Sequence, residues 1–461
     1  MVSMAKRIGL IVDNPKRDLK GLVILATHLI KAGHEVHFIP MYFQHVDTFL
    51  GKVDLLVVNY VRLNNRAFLE RCQAAGVPVY VLDTEGGILS TDGIDSPENW
   101  ARHLGETGLG ALVAGYFFWG AKTFEAFSAY SQIDKSDLFL TGCPRYDQCD
   151  RKWVGMLKPR YENHILVNAN FSAINPKFGS SVESEKSAFK SVGWDGGYVD
   201  ELYEHLLAIF PKFIDEVRFI AESMPTRKVV VRPHPFEDLK PYTAAFEKFE
   251  NVIVDGDGDV FDAISQAACV VHLNCGTAVD SLIMKVPPIS IEYLNDALMA
   301  KHTPIPSKVS YRALGRDDLI DAINHPGVKY AQLVEEGVVA SYVEGFFYLC
   351  DGDAGERVAS VIKQRAEVEE TKSVARSGLF AGRDSVHQTV YKAVCMIFGS
   401  SFVNVARTKL SAKRKDKFID VHSVRELFQL SGVDAAELNV AHVDGLLPFM
   451  SLTSIRARIR R

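Results

Sequence analysis

The run Arg232-Pro233-His234-Pro235 follows Lys228-Val229-Val230-Val231, which places a guanidinium and an imidazole at the carboxyl end of a β-forming segment. Its two prolines fix φ at about −65° and together remove two backbone donors, so the loop leaves the strand rigid and extended. Such a loop suits an anion, with Arg232 bidentate on a phosphate and His234 adding a hydrogen bond or a proton beside Pro235. Asn274-Cys275-Gly276-Thr277 follows a second strand and opens a helix, where free backbone N–H groups attract a phosphate. Asp280 lies one turn further in, placed for ribose hydroxyls. Thr277 as a plain N-cap and Asp280 as a first-turn acid are the bland alternatives. Two anion-binding devices in one half of the chain predict a nucleotide mono- or diphosphate.

The other half carries Asp83-Thr84-Glu85-Gly86-Gly87 at a strand end. Gly86 and Gly87 let backbone approach a ligand, and Glu85 is expected as base or nucleophile at a sugar's anomeric carbon. Asp13 is the reserve candidate for that role. Asn14, Arg145, Asp147, Asn170 and Ser172 also follow strand-forming runs, and all but Asp147 are assigned to substrate positioning. Asp255-Gly256-Asp257-Gly258-Asp259 has the look of a calcium loop, but Val260 and Gln266 stand where an EF-hand needs Gly and Glu. Asp259 is read instead as the cap of the next helix, and no metal is expected.

Those loops need strands and helices to hold them. Short continuous apolar runs at Ile8–Val12, Leu55–Asn59, Val79–Leu82, Ala111–Val113 and Leu138–Leu140, with Glu35–Pro40, alternate with helical patterns. The pattern restarts at Ile165–Val167 and continues through Lys228–Val231, Val252–Val254, Val270–Leu273 and Ile289–Ile291. Asn175–Gly197, rich in Ser, Gly and Lys, reads as a long loop. Buried Val/Ile/Leu strands separated by helices mean parallel sheets covered on both faces. The expected fold is α/β: two Rossmann-like domains, 1–160 and 161–365, facing each other across a cleft. A basic, mostly helical extension, 366–461, completes the chain.

Composition agrees. The chain has 461 residues, 52 Lys+Arg against 57 Asp+Glu, and 47% hydrophobic residues, enough for several full cores. Residues 366–461 hold 15 basic and 10 acidic residues, net +5, which leaves 37 against 47, net −10, in the first 365. Six of the eleven residues Arg407–Lys417 are basic. That charge reads as a solvated helical face or as a contact with anionic lipid. A nucleic-acid partner is not expected, because no aromatic residues interleave the basic ones in an acidic chain. The apolar run Val390–Ala406 is interrupted and falls short of the ~20 residues that span a bilayer. The N-terminal apolar run is too short for a signal peptide, so the chain is expected in the cytoplasm, with the basic segment on the inner face of the inner membrane. Seven scattered cysteines without C-x-x-C argue against a disulfide framework or a cysteine zinc site.

Gly142-x-Pro144-Arg145-x-Asp147, Asn168-x-Asn170-Phe171, Arg232-x-His234-Pro235, Asp259-Val260-Phe261-Asp262 and Asn274-Cys275-Gly276-Thr277-x-x-Asp280 occur in that order. The set resembles the GT-B superfamily of bacterial surface-polysaccharide glycosyltransferases, which holds CDP-glycerol glycerophosphotransferases, polysialyltransferases and retaining Kdo transferases. The opening Val12–Asp18 is similar to surface carbohydrate biosynthesis proteins. The resemblance covers roughly residues 5–330. It implies a cytidine nucleotide donor, gripped by Arg232 and His234, with Asn274–Thr277 on the phosphate and Asp280 where many relatives have Glu. Thr84-Glu85-Gly86-Gly87 stands where capsule Kdo transferases carry Glu-Asp-Gly, an acid and a glycine in a different order. The implied activity is transfer of Kdo or a related ulosonic acid from CMP to a lipopolysaccharide or capsule glycan, with no other cofactor. The alternatives are polyol-phosphate transfer from CDP-glycerol or CDP-ribitol, and a non-catalytic scaffold.

Overall fold

A computed structural model of the chain describes residues 5–84, 96–177, 181–191, 195–302, 304–368, 386–408, 417–444 and 451–460. The chain divides into two compact units, one of residues 1–156 with 343–461 and one of residues 157–342.

In the first unit, β1 (Arg7–Val12), β2 (Glu35–Pro40), β3 (Leu55–Val58), β4 (Val79–Leu82), β5 (Gly115–Phe118) and β6 (Leu138–Leu140) lie in the order 2-1-3-4-5-6. All these neighbours pair in parallel. Successive residues of a strand point to opposite faces, and both faces are covered: Leu55 and Val57 join one apolar cluster, Leu56 and Val58 the other. Hence the strands read as unbroken apolar runs. β5 lies at Gly115–Phe118 and not at the expected Ala111–Val113, because Leu109–Leu112 forms a 3₁₀ turn. Gly115 is required there, since a Cβ would sit 2.8 Å from the Tyr80 ring.

Residues 366–461 do not stand apart as a helical extension. The helices Ala354–Val368, Val386–Thr408 and Val421–Leu430 are followed by β13 (Leu438–Asp444) and β14 (Ser451–Ile459). β14 pairs antiparallel with β2 through Ile455–Phe38, Arg456–His37 and Ala457–Val36, so this hairpin extends the first sheet. Ile455 and Ala457 enter the same apolar cluster as Phe38, whereas Arg456 and Arg458 pair with Asp444 and Glu35. The terminal arginines thus alternate along a strand and do not form a helical face.

A buried carboxylate ties this segment down. Asp47, on the helix Gln44–Leu50, is 0% exposed and accepts from Ser400 Oγ (2.8 Å), Thr453 Oγ1 (2.6 Å), Ser454 N (2.9 Å) and Ser454 Oγ (2.6 Å). Burial pushes the Asp47 carboxyl above the usual range, against the pull of those donors.

The second unit holds β7 (His164–Asn168), β8 (Val229–Arg232), β9 (Val252–Val254), β10 (Ala267–His272), β11 (Pro288–Ser290) and β12 (Tyr311–Arg312). The sheet runs β9-β8-β7-β10-β11-β12, all parallel. Counted within the unit this is 3-2-1-4-5-6, the order of dinucleotide-binding sheets. The two Rossmann-like units expected from the sequence are therefore present. The long helix Gly196–Ser223 covers one face and buries Phe213, Val217 and Ile220 against Val167 and Val229. The expected loop Asn175–Gly197 contains a helix of its own, Val182–Ser191.

Candidate functional site

Ligands of doubly wound sheets bind beyond the carboxyl ends of the strands, where the strand order reverses. In the second unit that switch lies between β7 and β10. Across it, Arg232, Asn168, His272, Ser290 and Arg312 are successive register partners on adjacent strands, a polar row at the carboxyl edge. Laterally paired residues of a parallel sheet share a face, so the row is one surface.

Hydrogen bonds stitch the loops above the switch together. Asn168 Nδ2 donates to Thr277 Oγ1 at 2.7 Å, and Asn170 Nδ2 donates to the Asn274 carbonyl at 3.0 Å. Asn274 adopts φ 50°, the left-handed region that Asn tolerates better than most residues, and exchanges side-chain hydrogen bonds with Asn295 at 2.7 and 3.3 Å. Cys275 Sγ lies 3.1 Å from Thr277 Oγ1, and burial pushes its thiol up to about 11, so it packs as an inert side chain. Thr277 begins the helix Thr277–Ile283 after Gly276, with no side-chain cap. Asp280 is buried at 3% exposure beside Tyr342. Ser172 is half-buried in the turn after β7.

The Arg-Pro-His-Pro loop differs from its expected arrangement at Arg232. Arg232 is 8% exposed, and both terminal nitrogens donate at 2.6 Å to backbone carbonyls, Nη1 to Asp257 and Nη2 to Gly258. Desolvation lowers its pKa, opposed by the neighbouring Asp259, Asp255 and Asp262. Arg232 thus pins the loop between β9 and the next helix and does not extend toward a phosphate. Asp259 does cap that helix, accepting from Phe261 N at 3.0 Å. His234 is half-buried beside exposed Pro235. Its Nδ1 accepts from Phe236 N at 3.3 Å, which leaves the Nε2 proton as the donor of the neutral ring.

Glu237 went unread in the sequence. Its Oε1 accepts from His234 N and Phe171 N, each at 2.9 Å, and Tyr242 OH donates to Oε2. One buried carboxyl therefore joins the loops after β7 and β8. Burial raises its pKa while these donors pull it down. The available signal was its place three residues after His234. His272 was also unread: burial lowers its imidazole to about 4, and its Nε2 lies 2.8 Å from Ser310 Oγ. Ser310 gives its own proton to the Pro306 carbonyl at 2.6 Å, so His272 donates from Nε2.

The first unit has its own switch, between β1 and β3. A small cavity there is lined by Asp18, Asn59, Asp83, Trp119 and Arg145 among others. Asn14 caps the helix Pro15–Lys31 by accepting from Lys16 N (3.1 Å), and Asn14 N donates to Asp18 Oδ2 (2.9 Å). Both Asp13 oxygens are taken, Oδ2 by Arg17 and Oδ1 by Lys417, each at 3.0 Å. Gly21 lets that helix touch the loop after β6, since a Cβ would lie 2.6 Å from Arg145 Cα. Arg145 stays at the cavity, but Asp147 turns away: its oxygens accept from Ala354 N (3.0 Å) and Gly355 N (2.7 Å) and cap the helix Ala354–Val368. Glu85, Gly86 and Gly87 lie outside the described residues. Among the described residues no group of three His, Cys, Asp or Glu side chains is placed to hold a metal ion. No described helix is long and apolar enough to cross a membrane.

No protein-family model and no curated protein matches the chain by sequence. Solved structures are similar to it at low identity. One is described as a putative UDP-N-acetylglucosamine 2-epimerase from Listeria monocytogenes, at 14% identity and TM-score 0.48, covering 80% of this chain and 99% of that one. Another is the wall teichoic acid polymerase TagF, at 13% identity and TM-score 0.49, covering 80% and 90%. A third, from S. aureus, is MnaA with UDP, at 12% identity and TM-score 0.47, covering 80% and 99%.

Proposed function

We propose that the chain is a glycosyltransferase of surface-polysaccharide synthesis that takes a sugar from a cytidine nucleotide donor, Kdo or a related ulosonic acid from CMP. The observation that supports this most is the hydrogen-bonded lattice Asn168–Thr277 and Asn170–Asn274 across the β7/β10 switch. It fixes the loops that follow β7 and β10 at the switch where a nucleotide binds in sheets of this order.

Breaking the bond between the anomeric carbon and the CMP oxygen leaves a doubly charged phosphate. His234 donates to it from Nε2. Arg232 acts one step removed, holding the Asp257–Gly258 backbone beside the site. Donor binding on this reading needs no metal. Glu85 is the proposed nucleophile or base, and Asp13, with both oxygens on cations, is better suited to orienting Arg17. Asn14 and Arg145 position the glycan acceptor.

A thermal-shift panel tests the reading. Stabilisation by CMP and not by UDP or GDP supports it; a ligand at a hundred times its Kd stabilises by about 2.7 kcal/mol. Stabilisation by CDP-glycerol or CDP-ribitol in preference to CMP would indicate polyol-phosphate transfer. No cytidine nucleotide binding at all would leave the scaffold reading.

A further inference from the structure

Pairing between β7 and β8 ends at Asn168 and Arg232, with a last ladder bond from Ala169 N to the Arg232 carbonyl at 3.1 Å. Pro233 has no N–H, so the ladder cannot continue, and two donors beyond it, Phe171 N and His234 N, need another acceptor. Glu237 supplies it from within the loop. One oxygen, Oε1, accepts from both at 2.9 Å, so the two nitrogens stand no more than twice that distance apart. The carboxyl is held in turn by Tyr242 OH on Oε2 and by the Asn175 side chain, and Glu237 is 1% exposed. Its own N–H donates to the His234 carbonyl at 2.8 Å, closing a β-turn with Pro235 at the position that favours proline. The turn His234–Glu237 is thus closed through both backbone and side chain, and Phe236 N inside it donates to His234 Nδ1 at 3.3 Å. On the other side, Asn170, which precedes Phe171, holds the Asn274 carbonyl.

We propose that Glu237 is a positioning residue: its Oε1 sets the gap between His234 and the Asn170–Asn274 lattice, and through the turn it holds the His234 ring with Nε2 as the donor. Reach and charge both matter. Asp is shorter by one methylene and cannot meet both loops from the same backbone position. Gln keeps the reach but replaces a charged acceptor by a neutral one, whose hydrogen bonds are about half as strong. Its amide must also turn an NH₂ group toward either Tyr242 OH or the two backbone N–H groups, so one of these contacts is reversed or lost. The effect on the ring follows from the geometry alone, whereas the effect on donor binding rests on the transfer reading above.

Isothermal titration with CMP and long-range proton–nitrogen NMR spectra of the histidine-labelled chain test it, with His234 assigned by its loss in His234→Ala. In the wild type the His234 ring should show one tautomer, protonated at Nε2. Glu237→Gln should populate the form protonated at Nδ1 and weaken CMP binding about tenfold, the worth of one hydrogen bond. Glu237→Asp should do the same. In the His234→Ala background these substitutions should change CMP affinity by less than about twofold, because a positioning residue acts only through the group that it positions. If Glu237→Gln does not fold, Tyr242→Phe, which removes only the donor to Oε2, should shift both readings the same way by less. A lowered melting temperature with the tautomer and the CMP affinity of the wild type would make Glu237 merely structural and overturn the proposal. So would an equal loss of affinity with and without His234. A wild type that binds no CMP would defeat the transfer reading, and the tautomer would then decide the role of Glu237 by itself.

Discussion

Replacing Asp47 by Ala should loosen the C-terminal hairpin from the first sheet. The carboxyl accepts four hydrogen bonds, from Ser400 Oγ, Thr453 Oγ1, Ser454 N and Ser454 Oγ, on residues far away in sequence. A buried donor left without its acceptor costs about 1–3 kcal/mol, so four of them give a gross loss of roughly 4–12 kcal/mol. Two effects reduce it: hydroxyls rotate to other acceptors, and the folded state no longer desolvates a carboxylate, a penalty of several kcal/mol. A net loss of about 3 kcal/mol remains. In a unit this large 1 kcal/mol moves the melting temperature by about 2 °C, so scanning calorimetry should show the first unit's transition about 6 °C lower. Hydrogen exchange should quicken in β14 before β1. Asp47→Asn, which keeps one acceptor oxygen, should fall between. A shift under about 2 °C for Asp47→Ala, with β14 exchange unchanged, would refute the claim that this carboxyl holds the hairpin.

Arg232→Met should destabilise the second unit by about 3–5 kcal/mol, because it strands two buried carbonyls and removes the cation among three aspartates. Arg232→Lys should recover only part of that, as a point charge cannot span both carbonyls. Urea unfolding checks both; full stability with lost CMP affinity would return Arg232 to the phosphate. Burial pushes the Asp147 carboxyl up to about 7 despite its two N–H donors. A folded-state value above the unfolded value of about 3.9 means that the native state holds the proton more tightly. This contribution to stability is present below pH about 4 and is lost as pH rises toward 7, with a slope of up to about 1.4 kcal/mol per unit. Asp147→Asn should flatten denaturation midpoints measured across that window; an unchanged profile would place the titration elsewhere.

Most strands were legible because a sheet covered on both faces demands apolar residues at every position, as in Leu55–Val58 and Val229–Val231. β5 was displaced because its sequence is one glycine and three aromatics, while the aliphatic run before it, Leu109–Leu112, coils into a turn. The hairpin was hidden by charge. Counting Arg456, Arg458 and Arg460 as a basic tail obscured the period-two alternation with Ile455, Ala457 and Ile459, which is a strand pattern. At the site, motif spacing found the loops but not the partners. That Asn274 and Asn170 meet follows from β7 and β10 being neighbours, a pairing no local window contains. Arg232 shows the converse limit: a cation at a strand end serves a ligand or a backbone loop equally well, and only the position of Asp257 and Gly258 decides. Glu237 and Asp47 were passed over as isolated acids, and their importance lies wholly in what surrounds them after folding.

The central claim is that a cytidine nucleotide sits at the β7/β10 switch of the second unit. Hydrogen exchange followed by mass spectrometry, with and without saturating CMP, reads that directly at peptide resolution. The account predicts slowed exchange in peptides covering Asn168–Asn175, His234–Glu237 and Asn274–Asp280, with the loops after β1 and β6 unchanged. Protection confined to the Asp13–Asp18 or Gly142–Asp147 peptides, or no protection at saturating CMP, would contradict it.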